Sequence, residues 1–208
     1  MSGRVRLAVL VSGSGTNLQA ILDACARPDY PAEVTVVVSD RPEAFALERA
    51  RRAGVPAHVV DWSAFRNREA FCRQLEAVLA PYRVDLVCLA GFLRILDARF
   101  VAAYRGRILN IHPSLLPAFG GKGMYGERVH RAVLASNARV SGCTVHFVTE
   151  AVDAGPIVLQ AEVPVLPGDT PETLAARVAQ QEHRIYPEAI RRVVLGEVRF
   201  EDLAAWRD

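Results

Sequence analysis

Short apolar runs alternate with helical patterns through the first half of the chain, and this alternation limits the fold more than any other feature. Val5–Val11 and Val34–Ser39 are rich in β-branched residues and bounded by turn residues, as expected of strands buried on both faces. The residues Leu18–Arg27 between them have a helical pattern. Strands separated by helices imply right-handed crossovers, so the sequence predicts an α/β fold with a doubly wound, mostly parallel sheet.

The same alternation continues to about residue 111. Helical patterns cover Ala44–Ala53 and the segment from Phe71 to Leu79, which ends before Pro81. The remaining predicted strands of this series are Ala57–Val60, Leu86–Leu89 and Arg107–Ile111.

The second half of the chain has a different pattern. Val140–Val148 and Ile157–Val165 are apolar and β-rich, and a short polar segment joins them, so we expect antiparallel strands added to the sheet. Thr170 and Pro171 are typical of a helix N-cap and first turn. They predict a long C-terminal helix, in which Pro187 should cause a kink or an interruption.

The length of 208 residues favours one domain, 1–208, since domains average about 150 residues. With 25 Lys+Arg against 23 Asp+Glu, the formal net charge is only +2. Such a chain lacks the basic field that drives non-specific nucleic-acid binding, and we expect no nucleic-acid partner.

A membrane span and a disulfide framework are also not expected. The longest uncharged stretch, Leu7–Leu22, contains the polar segment Ser12–Asn17 and is shorter than the roughly 20 apolar residues of a span. The four cysteines are widely spaced and form no C-x-x-C pair. This usage favours reduced core thiols in a cytoplasmic protein and gives no sign of a metal site.

The segment Ser12–Asn17 reads SGSGTN and lies between the first strand and the first helix. Small residues let backbone N–H groups approach an anion at a helix N-terminus, so a phosphate site is favoured. Leu18 occupies the position of the third glycine in a dinucleotide-binding motif, which argues against that class. A tight turn without a ligand is the alternative.

Asn110 and His112 fall at the carboxyl end of the last predicted parallel strand, where ligands bind in open α/β sheets. Being two residues apart in an extended segment, their side chains point to the same side. An amide and an imidazole so placed could stabilise a developing oxyanion and move a proton. The spacing is equally compatible with a histidine that is hydrogen-bonded in a buried corner.

Asp153 lies in a loop of small residues between the two later strands and could orient a histidine or act as a base. By its pattern alone, a solvated turn aspartate is the better interpretation. His146 and the pair Glu182-His183 are weaker candidates.

Five stretches taken together resemble the folate-dependent formyltransferases. They occur in the family order, span most of the chain, and are Ser12–Leu22, Leu89–Leu96, Asn110–Pro117, Thr144–Gln160 and Gln181–His183. The SGSGTNLQAI opening and the short length point to the branch that acts on glycinamide ribonucleotide. Where many members have a short turn, this chain carries a longer glycine-rich run over residues 119–126, and Lys122 within it could contact phosphate.

The resemblance implies that 10-formyltetrahydrofolate is the co-substrate and that its formyl group passes to the amine of 5-phosphoribosyl-glycinamide in purine biosynthesis. It implies small-molecule substrates, no metal, and a monomer or homodimer. It also implies a phosphate-binding half over residues 1–105 and a catalytic and folate-binding half over 106–208.

The resemblance further assigns residues to roles. The catalytic set is Asn110, His112 and Asp153. The ribonucleotide is assigned to Gly15, Thr16, Asn17 and Glu182. The folate is assigned to Arg68, Leu93, Arg94, Ile95, Leu96, Asn110, Thr149, Glu150, Ala151, Val152 and Asp153.

Three other functions compete with this one. Hydrolysis of formyltetrahydrofolate would use the same fold, but such enzymes usually carry an additional N-terminal regulatory domain for which the first strand at Val5 leaves no room. Formylation of initiator tRNA would need a basic C-terminal domain. A non-catalytic nucleotide-binding module would leave the co-occurrence of Asn110, His112 and Asp153 unexplained.

Overall fold

The computed structural model describes residues 3–204, which form one sheet covered by helices on both faces. The strands are β1 Val5–Val11, β2 Ala32–Ser39, β3 Ala57–Val59, β4 Leu86–Leu89, β5 Ile108–His112, β6 Val140–Phe147 and β7 Ile157–Pro164. The helices are α1 Thr16–Cys25, α2 Ala46–Arg52, α3 Arg68–Leu79, α4 Ala98–Ala103, α5 Glu127–Ala135, α6 Pro171–Val194 and α7 Phe200–Ala204. Residues 1–2 and 205–208 of the predicted domain lie outside the described range.

The strand order is β3-β2-β1-β4-β5-β6-β7. β1 pairs in parallel with both β2 and β4, and β4 pairs in parallel with β5. β6 and β7 are antiparallel additions, which confirms the predicted doubly wound, mostly parallel α/β sheet. Because the chain order reverses between β1 and β4, a crevice opens at their carboxyl ends, where such sheets bind ligands.

The sheet is buried on both faces because its strands alternate between two apolar cores. Leu7, Val9 and Val11 point to the face covered by α1, α5 and α6, whereas Ala8 and Leu10 point to the face covered by α3 and α4. All four cysteines are free and buried, as the sequence predicts. No helix within residues 3–204 is long and apolar enough to cross a membrane.

Most predicted elements agree with the structure to within two residues, and β1 and β4 agree at both ends. α1 was predicted over Leu18–Arg27 but lies two residues earlier, because Gly15 in a left-handed conformation (φ 75°) turns the chain directly into the helix. The short helices α4, α5 and α7 have no counterpart in the sequence analysis.

Of the kink or interruption expected at Pro187, the interruption is wrong, because α6 runs through this residue as one helix from Pro171 to Val194. Thr170 caps its start, as predicted. A proline inside a helix costs about 3 kcal/mol, and packing around this one offsets that cost. Tyr186 is fully buried, and the Tyr30 hydroxyl donates to the Pro187 carbonyl at 2.7 Å.

Candidate active site

A cavity of about 560 Å³ lies at the carboxyl ends of β1, β4 and β5. Its wall combines the turn 13–17, the segments 89–96, 110–113, 121–126 and 148–153, and the side of α6 that carries Glu182. Every residue that the sequence analysis assigned to catalysis or substrate binding lies in this wall, with one exception. Arg68 is exposed at the first residue of α3, outside the cavity.

The turn after β1 is held from behind by α2. Ala46 N donates to the Gly13 carbonyl at 3.1 Å, and Arg49 Nε donates to the Ser14 carbonyl at 2.8 Å. The first N–H groups of α1 have no partner within the helix and form the natural anion-binding end. The turn therefore has the geometry that its small residues predict.

Gly15 fits this turn for two separate reasons. Its φ of +75° disfavours other residues, and a Cβ at this position would lie 2.6 Å from the Cβ of Ala46.

We predict that Gly15→Ala weakens ribonucleotide binding about tenfold or more, because strain of about 1–3 kcal/mol shifts the turn. Isothermal titration calorimetry measures the affinity, and folate affinity should not change. Gly54→Ala is the matched control, since Gly54 has a similar φ of +71° with nothing within 4 Å of its Cβ position. Equal ribonucleotide affinity in both variants would contradict this role of the turn.

Asn17 and Glu182 connect the two helices beside the turn. Asn17 Nδ2 donates to Glu182 Oε2 at 3.3 Å, which joins α1 to α6. Burial raises the pKa of Glu182, and the hydrogen bond from Asn17 opposes that shift. Asn17 Oδ1 is buried and has no hydrogen-bond partner among the described residues. The pair thus leaves an acceptor for a ligand at this end of the cavity.

Asn110 is fixed by a histidine on the neighbouring strand. The antiparallel register of β5 and β6 places Asn110 opposite His146, and Asn110 Nδ2 lies 3.1 Å from His146 Nε2. His146 Nδ1 donates to the Phe147 carbonyl at 2.9 Å, so its Nε2 is the nitrogen that accepts. This arrangement orients the Asn110 amide and leaves its second N–H for another acceptor.

Asp153 lies between two imidazoles. Its Oδ2 is 3.5 Å from His112 Nδ1, and its Oδ1 is 3.7 Å from His146 Nε2. The backbone N–H of Gly121 donates to Oδ2 at 2.9 Å. Asp153 has a φ of +54°, a left-handed backbone conformation that aspartate adopts more readily than most residues, and the loop in this conformation presents the carboxylate to both imidazoles.

The glycine-rich loop also contacts His112. His112 Nε2 lies 2.9 Å from the Phe119 carbonyl, and since a carbonyl only accepts, Nε2 carries the hydrogen. The side chains of His112 and Asp153 are therefore both hydrogen-bonded to backbone groups of this loop. Lys122 of the same loop lies in the cavity wall, and whether it contacts phosphate stays open.

The segment 90–95 crosses the cavity without regular secondary structure and is held at two points. Ser12 Oγ accepts from the Leu93 N–H at 2.9 Å. Arg94 Nε lies 2.5 Å from Oδ2 of Asp40, whose side chain is fully buried. The Arg94 guanidinium also lies over the Trp62 ring, with its Cζ 5.0 Å from the ring centroid. The Arg94 side chain is thus engaged by Asp40 and Trp62, which fixes the backbone of this segment.

Residues 5–190 match the model of the family described as formyl transferase. The chain belongs to the formyl transferase family. It is 46% identical over 204 residues to phosphoribosylglycinamide formyltransferase of Escherichia coli K12, covering 98% of this chain and 94% of that protein. The structure also superposes on the crystal structure of glycinamide ribonucleotide transformylase 1 from Symbiobacterium toebii with a TM-score of 0.89. The two sequences are 55% identical, and the match covers 94% of this chain and 90% of that one.

The chain also matches part of much larger relatives. It is 46% identical over 196 residues to the trifunctional purine biosynthetic protein adenosine-3 of Bos taurus. It spans 19% of the length of that protein.

Several residues that shape the candidate site were not identified from the sequence. Asp40 directly follows β2, and its place at the carboxyl end of a parallel strand was a usable signal. His146 was considered a weak candidate, although its antiparallel partner is Asn110. His130 lies on α5, a helix that the sequence pattern did not reveal.

We predict that Arg94→Met lowers the free energy of unfolding by about 3 kcal/mol, because it leaves the buried Asp40 carboxylate without its partner. Chemical denaturation measures this loss. Arg99→Met is the matched control, because Arg99 pairs with Glu76 and is 59% exposed, so its loss should cost less than about 1 kcal/mol. Equal losses in the two variants would show that the Asp40 pair does not hold the segment.

Proposed function

We propose that this formyl transferase moves the formyl group of 10-formyltetrahydrofolate to the amine of 5-phosphoribosyl-glycinamide. The products are 5-phosphoribosyl-N-formylglycinamide and tetrahydrofolate, a step of purine (IMP) biosynthesis. One observation carries the proposal: a single cavity joins the Gly15–Asn17 turn to the cluster of Asn110, His112 and Asp153. The name of the Escherichia coli relative, at 46% identity over nearly the whole chain, supports it.

The two substrates are proposed to enter from opposite ends of the cavity. The phosphate binds at the turn of Gly15, Thr16 and Asn17, and Glu182 accepts from ribose hydroxyls. The folate ring system lies against Leu93–Leu96 and the loop Thr149–Asp153. Holding both substrates in one cavity converts a bimolecular encounter into an effectively unimolecular step.

The reaction begins when the unprotonated glycinamide amine attacks the formyl carbon. Negative charge develops on the formyl oxygen, and the free N–H of Asn110 is placed to donate to it. His112 donates to the same oxygen through Nε2 once its bond to the Phe119 carbonyl is exchanged for the substrate. The Asn110 donor, which His146 orients before the reaction, stabilises the tetrahedral intermediate without reorganising during it.

The second step transfers a proton and breaks the old bond. Asp153, directly or through a water, takes the proton that the attacking amine loses and delivers it to the folate nitrogen. The bond from the formyl carbon to that nitrogen then breaks, and the new amide bond remains. No atom changes its oxidation state in this transfer, so the reaction needs no redox partner. Within residues 3–204, no group of three or more His, Cys, Asp or Glu side chains is arranged to hold a metal ion.

We also propose that residues 1–208 act as one domain with a phosphate-binding half over 1–105 and a catalytic and folate-binding half over 106–208. β4 of the first half pairs with β5 of the second, which supports one cooperative unit. We place the protein in the cytoplasm as a monomer or homodimer, with small-molecule substrates and no nucleic-acid or membrane partner. Arg68 is proposed to reach the folate from its exposed position on α3.

The test follows the absorbance change of tetrahydrofolate formation from 10-formyltetrahydrofolate, with and without phosphoribosyl-glycinamide. Release that depends on the ribonucleotide is the expected result. Equal release without it would assign the protein to formyltetrahydrofolate hydrolysis instead. No release, with both ligands shown to bind, would withdraw the catalytic proposal.

A further inference from the structure

His130 on α5 forms part of the cavity wall, and neither the mechanism nor the sequence resemblance uses it. Its side chain is buried, with 5% of the residue exposed. Its Nδ1 has no hydrogen-bond partner among the described residues. Nearly all buried polar atoms are hydrogen-bonded, and leaving one unbonded is unfavourable. The missing partner of Nδ1 therefore indicates that a ligand bound in the cavity supplies this hydrogen bond.

The position of α5 indicates which substrate that ligand is. Its residues Val129 and Val133 belong to the core on the α1 and α6 face of the sheet. α5 packs against α6, and these two helices with α1 form the half that carries Asn17 and Glu182. His130 therefore lies on the proposed ribonucleotide side.

The opposite side of the cavity belongs to the other core. Leu96 and Val101 are buried in that core, and Phe92 and Val148 pack against it. These residues border the segments proposed to bind folate, whereas the helix that carries His130 packs on the opposite face of the sheet.

The protonation state of the His130 imidazole indicates which group of the ribonucleotide it would bind. Burial first, and the nearby His112 second, lower the pKa of His130, so the ring is neutral near pH 7. A neutral imidazole offers one donor and one acceptor, which suits a hydroxyl or an amide better than a phosphate. Ala175 and Ala179 of α6 present only methyl groups to the cavity and offer no side-chain hydrogen bond in place of His130.

We propose that His130 hydrogen-bonds to the ribosyl-glycinamide part of the ribonucleotide and so helps to place its amine beside Asn110 and His112. This inference rests on the proposed function and adds a substrate contact to it. His130 is a binding and positioning residue, and the main effect of its loss falls on the ribonucleotide.

The test compares His130→Leu, which removes the hydrogen bond, with His130→Asn, whose amide places polar atoms near Nδ1. Calorimetry with phosphoribosyl-glycinamide should show about tenfold weaker binding for the Leu variant, equivalent to one buried hydrogen bond, and a smaller loss for the Asn variant. Tetrahydrofolate should bind both as it binds the unchanged protein. In steady-state assays, KM for the ribonucleotide should rise more than kcat falls.

A stability measurement separates this contact from a structural role. Replacing an unpartnered imidazole by leucine should leave the unfolding temperature unchanged or higher. Val133→Ala on the same helix is the control, because it removes buried apolar volume away from the cavity and should lower that temperature without changing ribonucleotide affinity. His130→Met provides a second apolar replacement if the Leu variant does not fold.

Two results would overturn the inference, and they are distinguishable. If the unchanged protein binds the ribonucleotide and the folded apolar variant binds it equally well, His130 is not a contact, while the proposed function stands. If the unchanged protein binds no ribonucleotide, the proposed function fails and this inference fails with it.

Discussion

His112→Ala and Asp153→Asn should each lower turnover at least about a hundredfold, the effect of losing an oxyanion donor or a general acid–base group. In the proposed mechanism, His112 supplies the second donor to the developing oxyanion, and Asp153 carries the proton from the amine to the leaving nitrogen. Both changes alter side chains only and keep the backbone hydrogen bonds of the sheet, in which His112 ends β5, so thermal unfolding should remain cooperative. Steady-state rates at saturating concentrations of both substrates provide the measurement.

Matched variants test whether the loss belongs to the site. His58, which contacts Tyr82 outside the cavity, provides a control for removing an imidazole. Asp23, exposed on α1, provides a control for removing a carboxylate. His58→Ala and Asp23→Asn should keep near-normal turnover. If His112→Ala and Asp153→Asn keep it as well, the assigned mechanism is wrong.

Gly155→Ala should have the second large effect, acting on structure and activity together. A Cβ on Gly155 would lie 1.7 Å from the Phe147 carbonyl oxygen, a backbone atom that cannot turn aside. The next residue, Pro156, accepts from the Phe147 N–H at 2.8 Å, so relieving the overlap distorts this bond and the loop that carries Asp153. We expect a loss of about 1–3 kcal/mol in unfolding free energy, as in overpacked cores.

The same change should lower turnover about a hundredfold, because small displacements of a catalytic group have effects of that size. Denaturant titration and steady-state rates on one preparation measure both effects. Gly3→Ala is the control, since a Cβ there meets nothing within 4 Å. Normal turnover in a folded Gly155→Ala variant would show that Asp153 does not depend on the position of this loop.

The glycine-rich loop connects substrate binding to the reactive groups. The Phe119 carbonyl holds His112 Nε2, and the Gly121 N–H holds Asp153 Oδ2. For His112 to donate to an oxyanion through Nε2, the bond to Phe119 must be exchanged. The proposed mechanism therefore requires the formyl oxygen to compete with a backbone carbonyl of this loop.

The parts of the fold that sequence predicted well have strong local signals. β1 and β4 are β-branched runs buried on both faces, and their limits follow from hydrophobicity alone. The turn after β1 was recognisable because its small residues separate a strand from a helix. His112 was recognisable because ligands bind at the carboxyl ends of parallel strands.

The parts that sequence could not predict depend on tertiary contacts. Asp40 and Arg94 are 54 residues apart, and only the folded sheet brings them within 2.5 Å. Pro187 remains inside a helix because hydrogen bonds of Tyr30 and Tyr186 hold the surrounding backbone. Helix propensities describe single residues and do not include such tertiary contacts. For His130, the single-sequence pattern gave no signal, because its helix is short and follows a glycine-rich run.

The transfer of an isotopic label would show directly whether the formyl group passes from the folate to the ribonucleotide. The protein would be incubated with 10-formyltetrahydrofolate labelled at the formyl carbon and with phosphoribosyl-glycinamide, and the label followed by NMR. If the proposed function is correct, the label appears as a formamide on the ribonucleotide, in an amount equal to the tetrahydrofolate formed. Label recovered as free formate, or remaining on the folate while both substrates are bound, would contradict it.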